Sequence, residues 1–399
     1  MASFLELEKM ARSWVGEVCI FGAGQWGKGF PYELIKSAGF SINCYFDNFV
    51  PEGTVIKEGL EVRAINYLYE HKENILIFLC VAARNKKQIL LQLKENEVKN
   101  VIVIDWIYIA QIMDSVDKAE SVVKKRYYSI YDDKEFLSTQ FRKKVGYELN
   151  IDKPMTFNEK LQWLKLFDRN DKYTTMVDKY SVKKYITEKV GNKYVIPTLG
   201  VWGHFDDINF EKLPDRFVLK CTHDSGSTVL VDDKYTFKYE WAKRKLELAL
   251  SANYYWQGRE WPYKNVPRRI IAEKYMASPH DMVDYKFLCF HGNPKMVFTC
   301  TERFDGDGLK VTFFDLNWNR LDFERHYPSS VKEISKPQNL DLMIDLAGKL
   351  SEGIPFVRVD FYEIEGQVYF GEMTFFPGGG MEEFRPVEWD YILGGWIKL

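Results

Sequence analysis

The sequence has little of what marks an exported, membrane-spanning or nucleic-acid-binding protein. Its 399 residues include 55 basic and 57 acidic side chains, so the net charge of -2 provides no overall field for nucleic acid or an anionic membrane. No apolar run approaches the roughly 18 residues that a membrane-spanning helix needs. The N-terminal residues include acids where a signal peptide has a basic start, and we therefore expect a cytoplasmic protein.

Cysteine is sparse, and its spacing is not that of a metal or disulfide site. The six cysteines are scattered through mostly apolar, strand-like runs, without the paired spacing of a zinc site or the framework of a small secreted domain. We expect buried free thiols in a reducing compartment. These residues are Cys19, Cys44, Cys80, Cys221, Cys289 and Cys300.

The sequence does have apolar and aromatic residues in quantity. With 46% hydrophobic and 16% aromatic residues, the chain can bury a large core, and its length suggests two or three domains. The first part alternates short apolar runs with helical stretches, which is typical of a small doubly wound α/β domain. Strands are predicted at 17–21, 42–46, 75–80 and 101–104, and helices at 1–14 and about 85–96.

A glycine motif follows the first predicted strand. Residues 22–27 have the spacing G-x-G-x-x-G, and Asp47 ends the second strand about 20 residues later, where a dinucleotide fold places its ribose-binding acid. Two interpretations stay open: the glycines bind NAD, or they shape a turn in a domain that binds another nucleotide or nothing. One functional hypothesis is therefore an NAD(P)-dependent sugar-modifying enzyme.

A second pattern lies near the C-terminus. Apolar alternation on both sides of Glu365-Gly366 predicts a β-hairpin. Asp360 and Glu372 then lie on facing strands, with Thr374 two residues on, and their oxygens suit a divalent cation. Arg358 adds a positive charge to the same face. The alternative is an ordinary hairpin whose acids lie in solvent, but the embedding in apolar sequence favours a phosphate-and-metal site.

Two loops extend this outline. The Gly378-Gly379-Gly380 loop would let the backbone approach a ligand closely. Residues 222–228 connect two predicted strands, 216–221 and 229–231, and their small and hydroxylated side chains leave backbone N–H groups for a phosphate. Lys220 would add a point charge there. The alternative is an ordinary hairpin loop with a lysine at the strand end.

The middle of the chain contains helices before strands. An amphipathic helix is predicted at 160–167 and a second helix from about 174 to 189 that carries Asp178-Lys179. Strands are predicted at 269–276, 285–290 and 295–299, with a turn at 291–294, and a helix at 340–351.

Four separated pieces resemble, in order and spacing, the ATP-grasp fold of carboxylate–amine ligases. Residues 176–179 resemble the first ATP-binding lysine motif, and residues 217–220 with the loop Ser225-Gly226-Ser227 resemble the second lysine and the phosphate-covering loop. Residues 272–276 are similar to the hinge that receives adenine. Arg358-Val359-Asp360-Phe361 with Glu372-Met373-Thr374 is similar to the arginine and magnesium motif of D-alanine:D-alanine ligases. The resemblance covers about residues 150–386.

The resemblance implies a role for each matching residue. Glu273 would accept a hydrogen bond from the adenine amino group, and Asp284 would bind the ribose. Thr374 stands where the family usually has Asn, so the third magnesium ligand would be weaker. The implied catalytic residues are Arg358, Lys220 and Lys286, and the implied Mg²⁺ ligands are Asp360, Glu372 and Thr374. The implied ATP-binding residues are Lys179, Lys220, His223, Ser225, Gly226, Ser227, Thr228, Glu273, Lys274, Tyr275, Met276 and Asp284.

The runs at 220–227 and 371–380 resemble more narrowly the TupA-like (teichuronopeptide biosynthesis) ATP-grasp group. That resemblance implies an ADP-forming ligase, with ATP and Mg²⁺, that joins a carboxylate to an amine through an acylphosphate. The carboxylate would be a uronic acid or amino-acid substituent in bacterial capsule or cell-surface polysaccharide assembly, with peripheral association with that machinery. Phosphoryl transfer to a sugar or amide, and a non-catalytic scaffold, are the open alternatives.

The expected fold class is α/β and α+β. A small doubly wound Rossmann-like domain would occupy residues 1–115, a helical linker 116–155 and the ATP-grasp domain 156–399. The acceptor pocket would draw on His280 and on the segments 302–305, 317–320 and 382–385.

Overall fold

A computed structural model of the protein describes residues 2–24, 26–276, 283–302 and 308–399. Its contacts divide the chain into two compact units, Met1–Phe136 with Ser251–Gln257, and Leu137–Leu250 with Gly258–Leu399. The segment predicted as a linker, 116–155, is thus divided between the units. The functional division at residues 115 and 155 stays a prediction. Within the described ranges, no helix combines the length and apolar character needed to cross a membrane.

The first unit is built on a parallel sheet, as the alternating pattern predicts. Its strand order is β2-β1-β5-β6, and every pair is parallel. The core lies where these strands meet the neighbouring helices, and β5 is buried along its whole length. The strands are β1 (Glu17–Phe21), β2 (Cys44–Phe46), β3 (Val55–Lys57), β4 (Leu60–Glu61), β5 (Ile75–Leu79) and β6 (Val101–Val103). The helices are α1 (Phe4–Ser13), α2 (Phe30–Ser37), α3 (Ile65–Glu70), α4 (Ala83–Glu95), α5 (Trp106–Asp117), α6 (Ser121–Arg126) and α7 (Tyr128–Tyr131), with a 3₁₀ turn at Lys72–Asn74.

The second unit contains two antiparallel sheets, β7-β10-β8-β9 and β13-β12-β11-β15-β16, and the small pair β14-β17. Together with the parallel sheet of the first unit, they confirm the predicted α/β and α+β fold class. The strands are β7 (Thr198–Trp202), β8 (Phe217–Cys221), β9 (Val229–Val231), β10 (Ile270–Lys274), β11 (Asp284–Phe290), β12 (Asn293–Thr301), β13 (Lys310–Phe314), β14 (Glu324–Arg325), β15 (Phe356–Ile364), β16 (Gln367–Thr374) and β17 (Phe384–Arg385).

The remaining elements are helices. They are α8 (Asp133–Val145), which contains the unit boundary, α9 (Phe157–Phe167), α10 (Lys172–Val177), α11 (Val182–Lys189), α12 (Tyr239–Leu250), α13 (Tyr255–Gly258), α14 (Leu340–Ser351) and α15 (Glu388–Trp396). 3₁₀ turns lie at Asn192–Tyr194, Phe205–Asp207, Phe210–Lys212, Trp261–Tyr263 and Pro377–Gly380. The predicted helix at 340–351 is confirmed as α14, which packs on β11, β12 and β15.

The single helix predicted from about 174 to 189 is wrong. The chain forms α10 and α11 with a break between them, because the side chain of Asp178 accepts hydrogen bonds from Tyr180 N (3.1 Å) and Ser181 Oγ (2.6 Å). The backbone N–H of Lys179 donates instead to Thr222 O, at 3.1 Å. The break therefore joins Lys179 to the end of β8.

The C-terminal hairpin forms as predicted. Ile364 pairs with Gln367, which leaves Glu365 and Gly366 as a two-residue turn. Both turn residues have positive φ, 51° and 74°, as a type I′ turn requires. The pairing is interrupted between Val359 and Phe361, where one residue of β15 faces two of β16.

The glycine motif of the first unit is held by Asp47. Its Oδ2 accepts from Ala23 N (2.8 Å), and its Oδ1 accepts from Phe49 N (2.8 Å) and Val50 N (3.2 Å). A Cβ on Gly27 would lie 1.8 Å from the Gly22 carbonyl oxygen, so the glycine is required by the turn itself. Gln25 lies outside the described residues. The contacts support the interpretation in which the motif shapes a turn, because both oxygens of Asp47 are engaged with backbone.

Replacing Asp47 should therefore weaken the loop. In Asp47→Ala, three backbone donors lose their acceptor, and we expect a loss of about 1–3 kcal/mol in the local opening free energy. Asp47→Asn keeps one carbonyl oxygen and should lose less. Hydrogen exchange of the Ala23, Phe49 and Val50 amides measures the effect. Unchanged protection in Asp47→Ala, together with calorimetric NAD binding that this variant abolishes, would support the ribose-binding interpretation instead.

Candidate active site

The predicted acids and arginine come together on the hairpin β15–β16. Arg358 pairs with Thr374, and the irregularity after Val359 brings Glu372 towards Asp360. One nitrogen, Arg358 Nη2, contacts Asp360 Oδ2 at 2.7 Å and Glu372 Oε1 at 2.6 Å. Arg358 Nε donates to Asp360 Oδ1 at 2.7 Å, and Thr374 Oγ1 donates to Glu372 Oε1 at 3.3 Å. The two carboxylates therefore converge on one point, rather than lying apart in solvent.

Asp360 is the buried member of this group. It is 1% exposed, and Lys286, its cross-strand partner on β11, contacts its Oδ2 at 2.5 Å. Burial is the largest single effect and lowers the pKa of Lys286, but the negative charges of Asp360, Asp284 and Glu372 together outweigh it, and the net shift is upward. Lys286 therefore stays protonated, and both oxygens of Asp360 are held by cations.

Glu372 is the accessible member. Its side chain is 47% exposed, so it can meet a ligand from solution. Surrounding protein atoms raise its pKa, whereas the charges of Arg358, Lys286, Lys179 and Lys220 lower it; the charges prevail and the pKa falls to about 2. The carboxylate therefore stays ionised throughout the physiological range.

The oxygen atoms that converge near Arg358 are suitable ligands for Mg²⁺. Asp360, Glu372 and Thr374 offer only oxygen atoms, the ligands that a hard cation prefers. Both carboxylates already share one cationic nitrogen, so they can face one cation. No group of three or more Asp, Glu, His or Cys side chains in the described part of the chain is arranged to hold a metal ion, and the remaining ligands would have to be water, Thr374 or the substrate phosphates.

A second charged group lies on the sheet β7-β10-β8-β9. Glu273, 5% exposed on β10, contacts Lys183 Nζ through Oε1 at 2.5 Å and Lys220 Nζ through Oε2 at 2.6 Å. Burial raises the pKa of Glu273, but the two lysines lower it more, and the net shift is downward. The resemblance assigned this carboxylate to the adenine amino group, and that role stays a prediction. In the structure the Glu273 carboxylate forms ion pairs with both Lys183 and Lys220.

Lys183 is the residue that sequence reasoning missed. It lies on α11, four residues after Lys179, and its Nζ also donates to Ile196 O at 2.6 Å. Burial lowers the pKa of Lys179 and of Lys183. On the single helix predicted from about 174 to 189, a spacing of four residues places Lys179 and Lys183 on one face, and this signal could have found Lys183. In the structure Lys179 lies in the break before α11, so the two lysines are not on one helix.

The loop 222–228 has an inward and an outward side. His223 is 2% exposed and its Nε2 lies 3.2 Å from Ala249 O, while Ser227 Oγ donates to Asp224 Oδ1 at 2.7 Å. These side chains face the protein, and the assignment of His223 and Ser227 to ATP binding stays a prediction. The outward residues Ser225, Gly226 and Thr228 are exposed. Lys179 Nζ donates to the carbonyl of Asp224 and fixes the base of the loop.

A cavity of about 200 Å³ opens beside these lysines. Its apolar wall includes Val218, Ile196, Leu230 and Phe370, and its polar wall includes Lys179, Lys183, Lys220 and Glu273. The predicted hinge residues Lys274 and Met276 also line it. Tyr275 instead packs against Arg216, whose Cζ is 4.1 Å from the ring centroid. Asp284 lies beside Lys286, with Oδ2 3.7 Å from Nζ.

Two of the three glycines in the loop 378–380 are covered by side chains of this chain. A Cβ on Gly378 would lie 2.3 Å from Glu382 Oε2, and a Cβ on Gly380 would lie 2.7 Å from the Leu161 Cβ. Side chains of this chain occupy the positions beside Gly378 and Gly380, whereas Gly379 has open space, so the close approach of this loop to a ligand stays a prediction at Gly379. Of the acceptor-pocket candidates, His280 and residues 303–305 lie outside the described residues.

The sequence matches one family model, described as TupA-like ATPgrasp, over residues 159–398. Solved structures similar to the chain include D-alanine–D-alanine ligases from Bacillus anthracis, complexed with ATP (11% identity, 91% of this chain, 85% of that chain, TM-score 0.30), and from Helicobacter pylori (12%, 96%, 100%, 0.31). Another is the ATP-grasp ligase PsnB complexed with minimal precursor, Mg and ADP (8%, 90%, 88%, 0.31). No curated protein matches it.

Glu273→Gln tests the paired lysines. It leaves two half-buried ammonium groups without their counter-charge, and we expect a loss of roughly 3 kcal/mol in unfolding free energy at pH 7. The folded pKa of Glu273 lies below the unfolded value of about 4.3, so the stabilisation is complete above that pH and is lost as the pH falls through the folded pKa. Urea unfolding of wild type and variant from pH 7 to pH 3 should show the difference shrink only below about 4.3. A difference independent of pH would contradict this account.

Proposed function

The chain belongs to the TupA-like ATP-grasp family, and on that premise we propose that it joins a carboxylate to an amine with ATP as the energy source and ADP as a product. The observation that carries this proposal is the convergence of Arg358, Asp360 and Glu372 in one charged centre. Lys179 and Lys220 help to lower the pKa of Glu372, so they lie within electrostatic range of the same centre. This centre combines acids for a metal with cations for a polyphosphate.

ATP would bind between the two charged groups. The apolar wall of the cavity suits the adenine ring, and the backbone of Lys274 to Met276 borders the same space. Lys179 and Lys220 supply point charges for the phosphates. A polyphosphate would take over the ammonium groups that Glu273 now holds, so nucleotide binding exchanges one set of ion pairs for another.

Asp360 and Glu372 would hold Mg²⁺, with Thr374 or water completing the coordination. When bound, the ion neutralises negative charge on the phosphate oxygens. A hydroxyl is a poorer ligand than the amide oxygen that the family usually has at position 374. Arg358 contacts both acids in the structure, so its guanidinium must yield part of this contact when the ion binds.

The proposed reaction has two displacements. An oxygen of the substrate carboxylate attacks the γ-phosphorus of ATP, the bond from that phosphorus to the bridging oxygen breaks, and ADP leaves. The amine nitrogen then attacks the acyl carbon, phosphate leaves, and the nitrogen loses a proton to form the amide. Arg358, with its planar set of donors, suits the acylphosphate and the tetrahedral oxyanion. Closure of the exposed tip at Ser225-Gly226 would exclude water from the acylphosphate.

We propose further that the carboxylate belongs to a uronic acid or an amino-acid substituent of a cell-surface polysaccharide, and that the protein works in the cytoplasm. The substrate class rests on the family resemblance, and the location on the free cysteines, which suit a reducing compartment. The geometry of the N-terminal unit does not favour the NAD(P)-dependent alternative, since Asp47 is engaged with backbone.

ADP release measured with uronic acids, each with and without an amine or amino acid, tests the reaction class. We expect turnover that needs the carboxylate, an amide product by mass spectrometry, and one phosphate released per amide. A stable phosphorylated sugar that forms without any amine would identify a phosphotransferase and overturn the ligase proposal.

Variants of the three proposed metal ligands should differ in turnover according to whether the substitution removes a negative charge. Glu372→Gln and Asp360→Asn each remove a full charge from the centre, and we expect turnover to fall on the order of 10³-fold or more. Thr374→Asn introduces the amide that relatives carry, and its activity should survive. Magnesium-dependent ATP turnover of the three variants, with their melting temperatures as the control for folding, makes the comparison. Near-normal turnover in both carboxamide variants would contradict the metal assignment.

A further inference from the structure

A buried arginine outside the predicted site carries an unused donor. Arg325, on β14, is 6% exposed, and its Nε lies 2.8 Å from Glu382 Oε2. That contact is an ion pair without hydrogen-bond geometry, and both Nε and Nη1 are buried with no hydrogen-bond partner among the described residues; Nη1 has no ion-pair contact either. Buried polar groups are almost always satisfied, and an unsatisfied guanidinium donor is costly. A donor in this state is a sign of a group that binds there.

The position of Arg325 brings it beside the proposed active centre. Its Cζ is 5.3 Å from the ring centroid of Phe298, and the Cζ of Arg358 is 5.9 Å from the same centroid. Phe298 pairs in register with Lys286, which pairs in turn with Asp360. Cross-strand partners share one face of a sheet, so both guanidinium groups lie on the face that carries the acids.

Glu324, the residue before Arg325 on β14, points to the opposite side of the strand. Glu324 pairs with Arg385, and successive residues of a strand point to opposite sides. Glu324, Arg385 and Arg320 line a separate open groove of about 670 Å³. Among the predicted acceptor segments, Glu382 therefore lies on the side of the active centre, whereas Arg320 and Arg385 do not.

The charges near Arg325 favour the binding of an anion. Burial lowers the pKa of Arg325 most, the positive charge of Arg358 lowers it further, and Glu382 opposes both. Two like charges beside one ring repel each other, and Asp360 and Glu372 already hold Arg358. An oxyanion between the two guanidinium groups would satisfy the unused donor and relieve this repulsion.

Glu382 is itself held against the glycine loop. A Cβ on Gly378 would fall 2.0 Å from the Glu382 Cδ, so this carboxyl packs directly on the glycine. Gly379, with nearly the same φ of 66° against 63°, has open space at the corresponding position. The absence of a side chain at 378 thus sets the place of Glu382, which contacts the Nε edge of Arg325 and leaves its Nη1 unbonded.

We propose that Arg325 binds an oxyanion of the acceptor substrate, its carboxylate or the phosphoryl group that this carboxylate receives, next to Arg358. The assignment rests on the proposed ligase function and names the residue that would select an acidic acceptor. Arg325 is a binding residue in this scheme, and Glu382 is a positioning residue that acts through it.

Calorimetric titration of wild type and Arg325→Met tests the assignment. D-glucuronate and inorganic phosphate are the two probes, each added in the presence of Mg²⁺ and a non-hydrolysable ATP analogue. We expect the variant to bind the analogue as wild type does and to bind at least one probe on the order of tenfold more weakly. Weaker binding of glucuronate alone identifies the carboxylate, and weaker binding of phosphate alone identifies the phosphoryl group.

The outcomes separate this assignment from the proposed function. Equal affinities of wild type and variant for both probes, or a wild type that binds the analogue but neither probe, would overturn the role of Arg325. Failure of wild type to bind the analogue would overturn the ATP-dependent function itself.

Gly378→Ala and Gly379→Ala form a matched pair that does not remove the buried arginine. Both place alanine at a positive φ and carry similar backbone strain, but only the methyl group at 378 meets Glu382. We expect weaker probe binding in Gly378→Ala and near wild-type binding in Gly379→Ala. Equal loss in the two variants would show that loop strain is responsible and would overturn the role of Glu382.

Discussion

The contact of one guanidinium nitrogen with two carboxylates organises the charged centre of the second unit. Arg358 Nη2 lies within 2.7 Å of oxygens from both Asp360 and Glu372. Burial at 1% exposure raises the pKa of Asp360, and the positive charges of Arg358 and Lys286 oppose this shift and compensate the carboxylate. The same cations keep Glu372 ionised at the accessible edge. The site is therefore charged in advance of any ligand.

The same principle operates at Glu273. One buried carboxylate separates Lys183 and Lys220, two groups that would otherwise repel each other at the edge of the cavity. A polyphosphate offers these lysines stronger partners than one carboxylate does. In both groups, carboxylates of the protein form ion pairs with the lysines and the arginine while no ligand is bound. These ion pairs reduce the electrostatic repulsion between the cations of the empty site.

The first unit shows how one sequence motif can serve two purposes. The spacing G-x-G-x-x-G followed by an acid is typical of dinucleotide sites, but the same spacing is required whenever a strand turns tightly into a helix. Here Gly27 is needed for contact with Gly22, and Asp47 ties the loop to its neighbours through backbone N–H groups. The acid stabilises the turn from inside, and its position in the sequence cannot distinguish this from binding a ribose.

The sequence by itself determined many of the elements and the chemical type of the site, although it predicted one helix where α10 and α11 form. The parallel sheet, α14, the hairpin turn at Glu365-Gly366 and the acids on its strands all follow from local periodicity and turn chemistry, which act over a few residues. Family resemblance added the order of the lysine and acid motifs.

Tertiary structure alone decided how these charges are paired. The contact that anchors Lys179 at the end of β8 depends on Thr222, more than 40 residues away, and the unbonded donor of Arg325 depends on Glu382 and Gly378. Such contacts join residues that are distant in sequence, and their energies depend on burial and on every neighbouring charge. A linear pattern contains neither quantity, because both exist only once the chain has folded.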